Sequence, residues 1–551
     1  MTNKFREAIT NAEFAVTVEM IPGRGASEDA QADEFKAMEG IYATGRVHAL
    51  SITDNPGGNP AILADQIARD FAKRDICALV HFTCKDKNRN QMQAQLYALE
   101  REGLQNLLIM SGDYPVSGFM GRAKPVFDLD PVQTLLLAQD MNEGLVVQGP
   151  HGASQEKPAH FFTGAVVNPF KYTEGEVFTQ YLKLERKILA GAEFIITQLG
   201  YDARKMQELL GYVHQRGYTT PLIANVFILS KGAARLMQQG AIAGCYISDE
   251  LMAALEAEFT AEDKGRAARL ERAATQIALA KGMGFSGVHI GGFGLDAALI
   301  TDILDRADEL LGNWRALVGA MSFGKASGFY LYDAEVDALG ASTGLNAPAL
   351  AATLDKPTDG KVYKHYRLSR LLHYWVLTPG KRCFGLLSKR MDSKEHKKGI
   401  NRSHSLEHLS KTAFYGCVDC GDCGLEACAY SCPMAECPKC QRNGPCGGSF
   451  DGGWCEVYPG ERYCIHYMAY YRLKKYGELA KLASFATPPN NWDFNKTSGW
   501  SNFTHTRDNA AGRIRVSIGL HAPQAESALL NDAPSSVPSS VPSSTQENEQ
   551  E

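Results

Sequence analysis

FAVTVEMIP, residues 14–22, is a run of apolar and β-branched residues that ends in a carboxylate and a proline. β-Branched side chains favour strands, and a run that is apolar at nearly every position suits a strand covered on both faces. Seven more runs of this kind follow: HALSITD (48–54), ICALVHFTC (76–84), NLLIMSG (106–112), FFTGAVVN (161–168), EFIITQL (193–199), PLIANVF (221–227) and SGVHIGG (286–292). Helical patterns lie between them, for example NQMQAQLYALEREGL (90–104) and TQYLKLERKILAGA (179–192). Eight strands alternating with helices over about 300 residues predict an α/β fold, a (β/α)8 TIM barrel. A doubly wound sheet is the alternative. No GxGxxG follows an early strand, which argues against a dinucleotide-binding version of it.

A chain of 551 residues with 44% hydrophobic content has room for more than one domain. Its net charge of -5 gives no general attraction to nucleic acid or membrane. The N-terminal MTNKFREAITNAEF has no apolar core of a secretory signal. No run approaches the ~18 apolar residues of a membrane span. We therefore expect a cytoplasmic protein, a setting in which clustered thiols bind metal or do redox work.

The expected domains are the barrel over 1–318, a linker over 319–364, and a small Cys-rich metal-binding domain with a basic helical lead-in over 365–475. An extension and disordered tail would fill 476–551, where PSSVPSSVPSS lacks the apolar content to fold. Between 361 and 411 stand thirteen Lys or Arg against three Asp or Glu. That run reads either as a solvated helical face or as a docking surface for an acidic partner or phosphate groups.

In such a barrel the active site lies at the C-terminal ends of the strands. Polar residues collect there. The first strand ends in Glu19, the second in Thr53 and Asp54, and the third carries His81 and ends in Thr83 and Cys84. The fourth runs into Ser111, Gly112 and Asp113, the fifth ends in Asn168, and the sixth in Thr197 and Gln198. Glu19 sits between Val-Thr-Val and Met-Ile-Pro, so its pKa is expected to be raised, as suits a general acid. Asp113 follows a Ser-Gly pair that lets a carboxylate approach a ligand closely. Two acids in different surroundings can divide proton donation from stabilisation of a cation.

Ten of the fourteen cysteines fall between 417 and 464, spaced C-x2-C-x2-C-x4-C-x3-C-P-x3-C-x2-C-x5-C-x8-C-x8-C. These are Cys417, Cys420, Cys423, Cys428, Cys432, Cys437, Cys440, Cys446, Cys455 and Cys464. The leading C-x2-C-x2-C with the later Cys432-Pro433 suits an iron–sulfur cluster. Cys437, Cys440, Cys446 and Cys455 equally suit zinc. Ten thiols allow two four-ligand sites with two to spare. We expect Cys437, Cys440 and Cys446 among the ligands, with Gly444, Gly447 and Gly448 letting the backbone fold closely around the metal.

VEMIP, SITDNPGGNP, VHFTCKD, IMSGD and LERKILAGAEFIITQ together resemble the methylenetetrahydrofolate reductase family across residues 10–300. The resemblance implies a flavin, FAD or FMN, at the C-terminal end of a barrel. It also implies reduction of 5,10-methylenetetrahydrofolate to 5-methyltetrahydrofolate in one-carbon metabolism. By that resemblance Glu19 is the acid that protonates folate N10, Asp113 stabilises the iminium cation, and Gln198 contacts folate. Thr53, His81, Ser111, Gly112, Asn168 and Lys187 fall at positions around the flavin and its phosphates.

The sequence departs from the family pattern in several places. Ser111 replaces an arginine and Asn168 a tyrosine, no arginine match lies near Leu295, and Gly232 falls where a nicotinamide-stacking aromatic is expected. The reductant is therefore open between NAD(P)H and an electron-transfer protein such as ferredoxin. A homo-oligomer is expected.

Cys417-Val-Asp-Cys-Gly-Asp-Cys, CPKCQRNGPCGGS, Gly453-Trp-Cys-Glu-Val and Cys464-Ile-His resemble the C-terminal domain appended to some members of the family, with His466 in place of a tryptophan. That domain implies an iron–sulfur cluster, zinc or both, and either an electron relay or a structural role. Two rival readings remain. One is a pterin-binding barrel that hands a methyl group to a corrinoid protein without flavin. The other is a zinc-ribbon module binding nucleic acid, against which the acidic total and the lack of interleaved aromatics both argue.

Overall fold

The structure is a computed structural model that describes residues 3–25, 31–332, 360–391, 402–450, 452–510, 512 and 514–515. All eight expected strands form: β1 (Ala15–Met20), β2 (Ala49–Ile52), β3 (Ala78–Thr83), β4 (Asn106–Met110), and, after a hairpin of β5 (Val146–Gly149) and β6 (Gly152–Gln155), β7 (Phe162–Val167), β8 (Phe194–Thr197), β9 (Leu222–Phe227) and β10 (Gly287–Gly291). The eight are parallel and close into one barrel in the order β1-β2-β3-β4-β7-β8-β9-β10. Closure comes from β10 pairing with β1, Ala15 opposite Gly287 through Val18 opposite Ile290, which rules out the open sheet. The antiparallel β5–β6 hairpin was not anticipated; its residues are mostly exposed and turn at Pro150-His151.

Apolar strand residues fill the barrel and the layer beneath its helices, as Val16, Val18, Leu50, Val80, Phe82, Ile109 and Ile290 do. Helix Pro131–Glu143 starts with proline in its first turn and a capping box, in which Asp130 accepts from Val132 and Gln133 backbone N–H groups while the Gln133 side chain returns to the Asp130 N–H. Helix Glu174–Leu189 is buried almost all round, including Gln180, Lys183 and Arg186. One face packs on the barrel and the other lies under the C-terminal region.

That region holds helices Arg402–Tyr415 and Ile465–Lys475 on either side of the cysteine-bearing loops. Ile465, Tyr467, Ala469 and Tyr470 join the same apolar cluster as Val177 and Tyr181 of the barrel helix. Phe178 and Tyr470 stack with ring centroids 5.6 Å apart. Of the segment expected as a linker, Phe329 and Leu331 are buried against the barrel, and 333–359 lie outside the described residues. Residues 480–504 add two short helices. The tail expected to be disordered, from 516 onward, is also outside the described residues. Among the described residues no helix is long and apolar enough to cross a membrane.

Candidate active site

Glu19 near the end of β1, His81 on β3 and His289 on β10 converge at the barrel mouth, their ligand atoms all within 4.8 Å of one another. His289 Nε2 lies 3.4 Å from Glu19 Oε2, and its Nδ1 is 2.9 Å from Thr17 Oγ1. His81 Nε2 is 2.8 Å from Ser51 Oγ. Both ring nitrogens of His289 are engaged, which suits passing a proton better than ligating a metal. Burial pushes the Glu19 carboxyl up, but the hydrogen bond and charge of His289, with a smaller effect of His81, outweigh it and hold the pKa below the usual value. The raised pKa expected from the apolar neighbours of Glu19 is thus corrected: those neighbours are apolar in sequence, whereas the carboxylate faces two imidazoles. Burial depresses His81 to about 4, with the nearby Glu19 charge opposing, so its ring is neutral at pH 7. His289 was missed although its strand was recognised; a histidine in an apolar strand that closes the barrel beside Glu19 was the available signal.

Thr53, buried at the end of β2, donates weakly to the Met20 carbonyl at 3.4 Å. Neighbouring Asp54 accepts from Thr83 and, at 2.8 Å, from Lys87. After β4, Gly112 has φ +79°, and a Cβ there would come 2.9 Å from Thr83 Cβ, so only glycine fits. Asp113 is exposed and accepts from the Gly57 N–H at 2.7 Å, which fixes its carboxylate at the mouth. The Gln198 carboxamide oxygen accepts from the Leu199 N–H at 2.9 Å, and its backbone N–H donates to Val167 at 2.7 Å.

The β4 and β7 side is different, because the cysteine region reaches into it. Ser111 Oγ donates to Gln441 Oε1 at 3.2 Å, and Lys439 Nζ donates to the Gly112 carbonyl at 2.8 Å. Asn168 Nδ2 donates to Gly244 and Gly447 carbonyls at 2.7 and 2.9 Å. Along helix Glu174–Leu189, Gln180 donates to the Cys446 carbonyl at 2.7 Å, Lys183 to Gln441 Oε1 at 2.7 Å, and Arg186 to the Asn443 carbonyl at 3.0 Å. Asp130 Oδ2 accepts from the Arg442 and Asn443 N–H groups and the Asn443 side chain at 3.1, 2.9 and 3.0 Å. Lys187 turns to the Val166 carbonyl; burial, then the charge of Lys183, pull its pKa down to about 7.

Thr53 and Gly112 follow the strands β2 and β4, and His81 lies on β3 between those two strands. Ser111, Asn168 and Lys187, by contrast, direct polar atoms to the cysteine region or to the barrel backbone.

The ten clustered cysteines divide in space. Cys417, Cys420, Cys423 and Cys432 line one recess. Cys437, Cys446, Cys455 and Cys464 line a second. Cys428 is buried in the core, and Cys440 lies by Arg442 and Asp128; neither lines either of these two recesses. Burial pushes the Cys420 and Cys464 thiols up to about 12. Such groups become thiolates only beside a cation, so the donor chemistry fits a soft metal.

Comparison with known proteins gives a match to the family described as methylenetetrahydrofolate reductase over residues 4–308, and to one described as methylene-tetrahydrofolate reductase C terminal over residues 398–493. Among curated proteins, the probable methylenetetrahydrofolate reductase (NADH) of Oryza sativa subsp. japonica is 26% identical over 267 residues, 46% of this chain and 41% of that protein. Methylenetetrahydrofolate reductase (NADH) 1 of Arabidopsis thaliana is 25% identical over 266 residues, 46% of this chain and 42% of that one. The chain thus spans about two fifths of the length of these relatives. Among solved structures, an uncharacterized protein from Clostridium thermocellum that binds two copies of 5-methyl-5,6,7,8-tetrahydrofolic acid aligns with a TM-score of 0.39 and 13% identity, covering 56% of this chain and 98% of its own. With more than half its length matched, and the expected barrel closed around Glu19, the chain belongs to the methylenetetrahydrofolate reductase family.

Proposed function

We propose that this protein reduces 5,10-methylenetetrahydrofolate to 5-methyltetrahydrofolate, using a flavin (FAD or FMN) held at the barrel mouth and electrons delivered through the cysteine region. The Glu19–His289–His81 cluster carries this reading. Glu19 gives a proton to folate N10 and opens the imidazolidine ring. With its pKa held low, Glu19 receives that proton from the His289 imidazolium through Nε2, 3.4 Å from Oε2, and the ring is left neutral. Asp113, fixed by the Gly57 N–H, places negative charge beside the iminium carbon, and Gln198 binds the folate. The flavin, when bound, supplies the hydride.

For the electron route, Gln441 touches both ends: its N–H lies 3.5 Å from Cys437 Sγ, and its side chain accepts from Ser111 and Lys183. Gly232 carries no ring at the position where the family pattern has a nicotinamide-stacking aromatic. This favours an electron-transfer protein such as ferredoxin over NAD(P)H as the direct donor.

Glu19→Gln tests the assignment. The variant should keep its flavin and let an artificial donor reduce it, while folate turnover falls at least about a hundredfold. Near-normal turnover would remove Glu19 from this role. A wild-type protein free of flavin that methylated a corrinoid would replace the reading with methyl transfer.

A further inference from the structure

We infer that helices Tyr366–Leu372 and Arg382–Arg390, with the π turn His373–Leu377 between them, form the docking face for an acidic electron-transfer protein, beside the recess of Cys417, Cys420, Cys423 and Cys432. The inference rests on the reading that electrons enter through the cysteine region, and it adds where the carrier sits.

The charge of this face is one-sided. Residues 361–391 carry eight Lys or Arg and no Asp or Glu, in a chain whose net charge is -5. Arg370 is held from outside the segment by Glu478, with Nη2 2.6 Å from Oε1. Arg367, Arg382 and Lys389 are exposed, and Lys381 stands over the Tyr374 ring. Nothing within the segment offsets this charge, so it attracts an acidic surface.

The apolar groups are left in water. Leu368, Leu371, Leu372, Tyr374, Trp375 and Leu386 are 48–69% exposed. A soluble surface rarely keeps so many large apolar side chains together unless another molecule covers them. Their neighbours anchor them without hiding them. Ser369 hydrogen-bonds Tyr415, and Phe384 packs edge-on to Phe503 with ring centroids 6.3 Å apart. In the π turn His373 packs beside the Tyr430 ring, 5.6 Å between centroids, while Tyr374 and Trp375 stay exposed.

The same anchors set the face against the recess. His373 Nε2 is 3.9 Å from Glu426 Oε1, and the preceding Leu425 lines the recess. Tyr415, the partner of Ser369, lines it too. A carrier seated here is therefore next to the Cys417, Cys420, Cys423 and Cys432 thiols.

Charge and shape choose among occupants. A second copy meeting face to face would set eight cations against eight. A nucleic acid would match the charge and stack on Tyr374 and Trp375, but it has no aliphatic surface for the four leucines. An anionic bilayer takes leucines and cations alike, but helices of seven and nine residues meeting at a turn do not make the single amphipathic stripe that lies in its interface. A protein with an apolar centre and an acidic rim matches the leucines, the rings and the cations together.

The test is binding of a purified acidic bacterial ferredoxin to the full chain by biolayer interferometry, at about 20 and about 500 mM salt. Wild type should bind, at least about tenfold more weakly at high salt. Arg367→Glu combined with Arg382→Glu should lose at least about tenfold at low salt, and Leu372→Ser should lose affinity while keeping the salt dependence. Lys73→Glu, an exposed reversal on an outer helix of the barrel, should bind as wild type does. Dye-linked methyltetrahydrofolate oxidation should be unchanged in all of these, whereas ferredoxin-linked turnover falls with binding. If circular dichroism shows that the double variant does not fold, Lys389→Glu takes its place. Absent binding by wild type, or equal binding by wild type and the face variants, would overturn the docking face. So would variants that keep ferredoxin but lose phosphatidylglycerol vesicles, single-stranded DNA or a dimer seen by analytical ultracentrifugation. Weakened ferredoxin binding in a protein without folate turnover from any donor would sink the proposed activity and leave the docking face standing; dye-linked folate turnover in a protein that ferredoxin does not bind would do the reverse.

Discussion

On the β1, β3 and β10 side of the barrel mouth, Glu19, His81 and His289 are partnered by one another and by Thr17 and Ser51 from the same barrel. On the β4 and β7 side, Ser111 and Asn168 are partnered by Gln441 and Gly447, residues 330 and 279 positions later in the chain. The proton-handling half is complete within the barrel. The other half is finished by the cysteine region, through hydrogen bonds made by side chains after β4 and β7, at the start of helix Pro131–Glu143 and along helix Glu174–Leu189. The comparison separates two kinds of dependence: chemistry at Glu19 draws on local packing, and the opposite wall draws on docking.

The strongest way to break this division is Asp130→Ala. One carboxylate there caps helix Pro131–Glu143 with one oxygen and holds Arg442 and Asn443 with the other. Losing five hydrogen bonds to a buried carboxylate should cost about 4 kcal/mol and uncouple the two regions in urea unfolding. A midpoint within experimental error of wild type would show that docking does not depend on this residue.

His81 sharpens the self-contained side. Its folded pKa of about 4 lies below the unfolded value near 6.5, because burial disfavours the charged ring. The unfolded chain therefore binds the proton first as pH falls, and stability is lost progressively between about pH 6.5 and 4, by about 3 kcal/mol. His81→Asn should flatten the unfolding free energy over that window. An unchanged slope would mean that the ring is already charged in the folded protein.

The smallest effect belongs to Ser111→Ala. It removes a single neutral hydrogen bond to Gln441 and should lower stability in urea unfolding by no more than about 1 kcal/mol. A larger loss would mean that Gln441 is positioned by Ser111 rather than by Lys183 and His466, whose ring Nε2 lies 3.0 Å from the Gln441 carbonyl oxygen.

The barrel was legible because its eight strands are continuous apolar runs, each readable in its own window of sequence. Glu19, His81, Ser111 and Asn168 were visible as polar residues at strand ends. Their partners were not. Periodicity within one element carries no trace of a residue some 300 positions away, so the docking of Gln441 on Ser111 was invisible. Glu19 shows the same limit in electrostatics, since sequence neighbours suggested a raised pKa and spatial neighbours lower it. In the cysteine region the short spacing of Cys417, Cys420 and Cys423 pointed to one set. The spacing also grouped Cys437, Cys446 and Cys455, but with Cys440 in place of Cys464, which lines their recess.

Helix Glu174–Leu189 has a consequence in time. Its cover arrives late: Arg186 and Asn443 are 257 positions apart, and Asn168 and Gly447 are 279 apart. At about 5–20 residues per second a ribosome needs roughly 13 to 56 s to make that stretch. During the wait this face of the nascent barrel meets water. Gln180, Lys183 and Arg186 keep it hydrated, then exchange water for the Cys446, Gly444 and Asn443 carbonyls when the cysteine loops emerge. An all-apolar face would pack as well at the end, but it would offer every other nascent chain a place to stick.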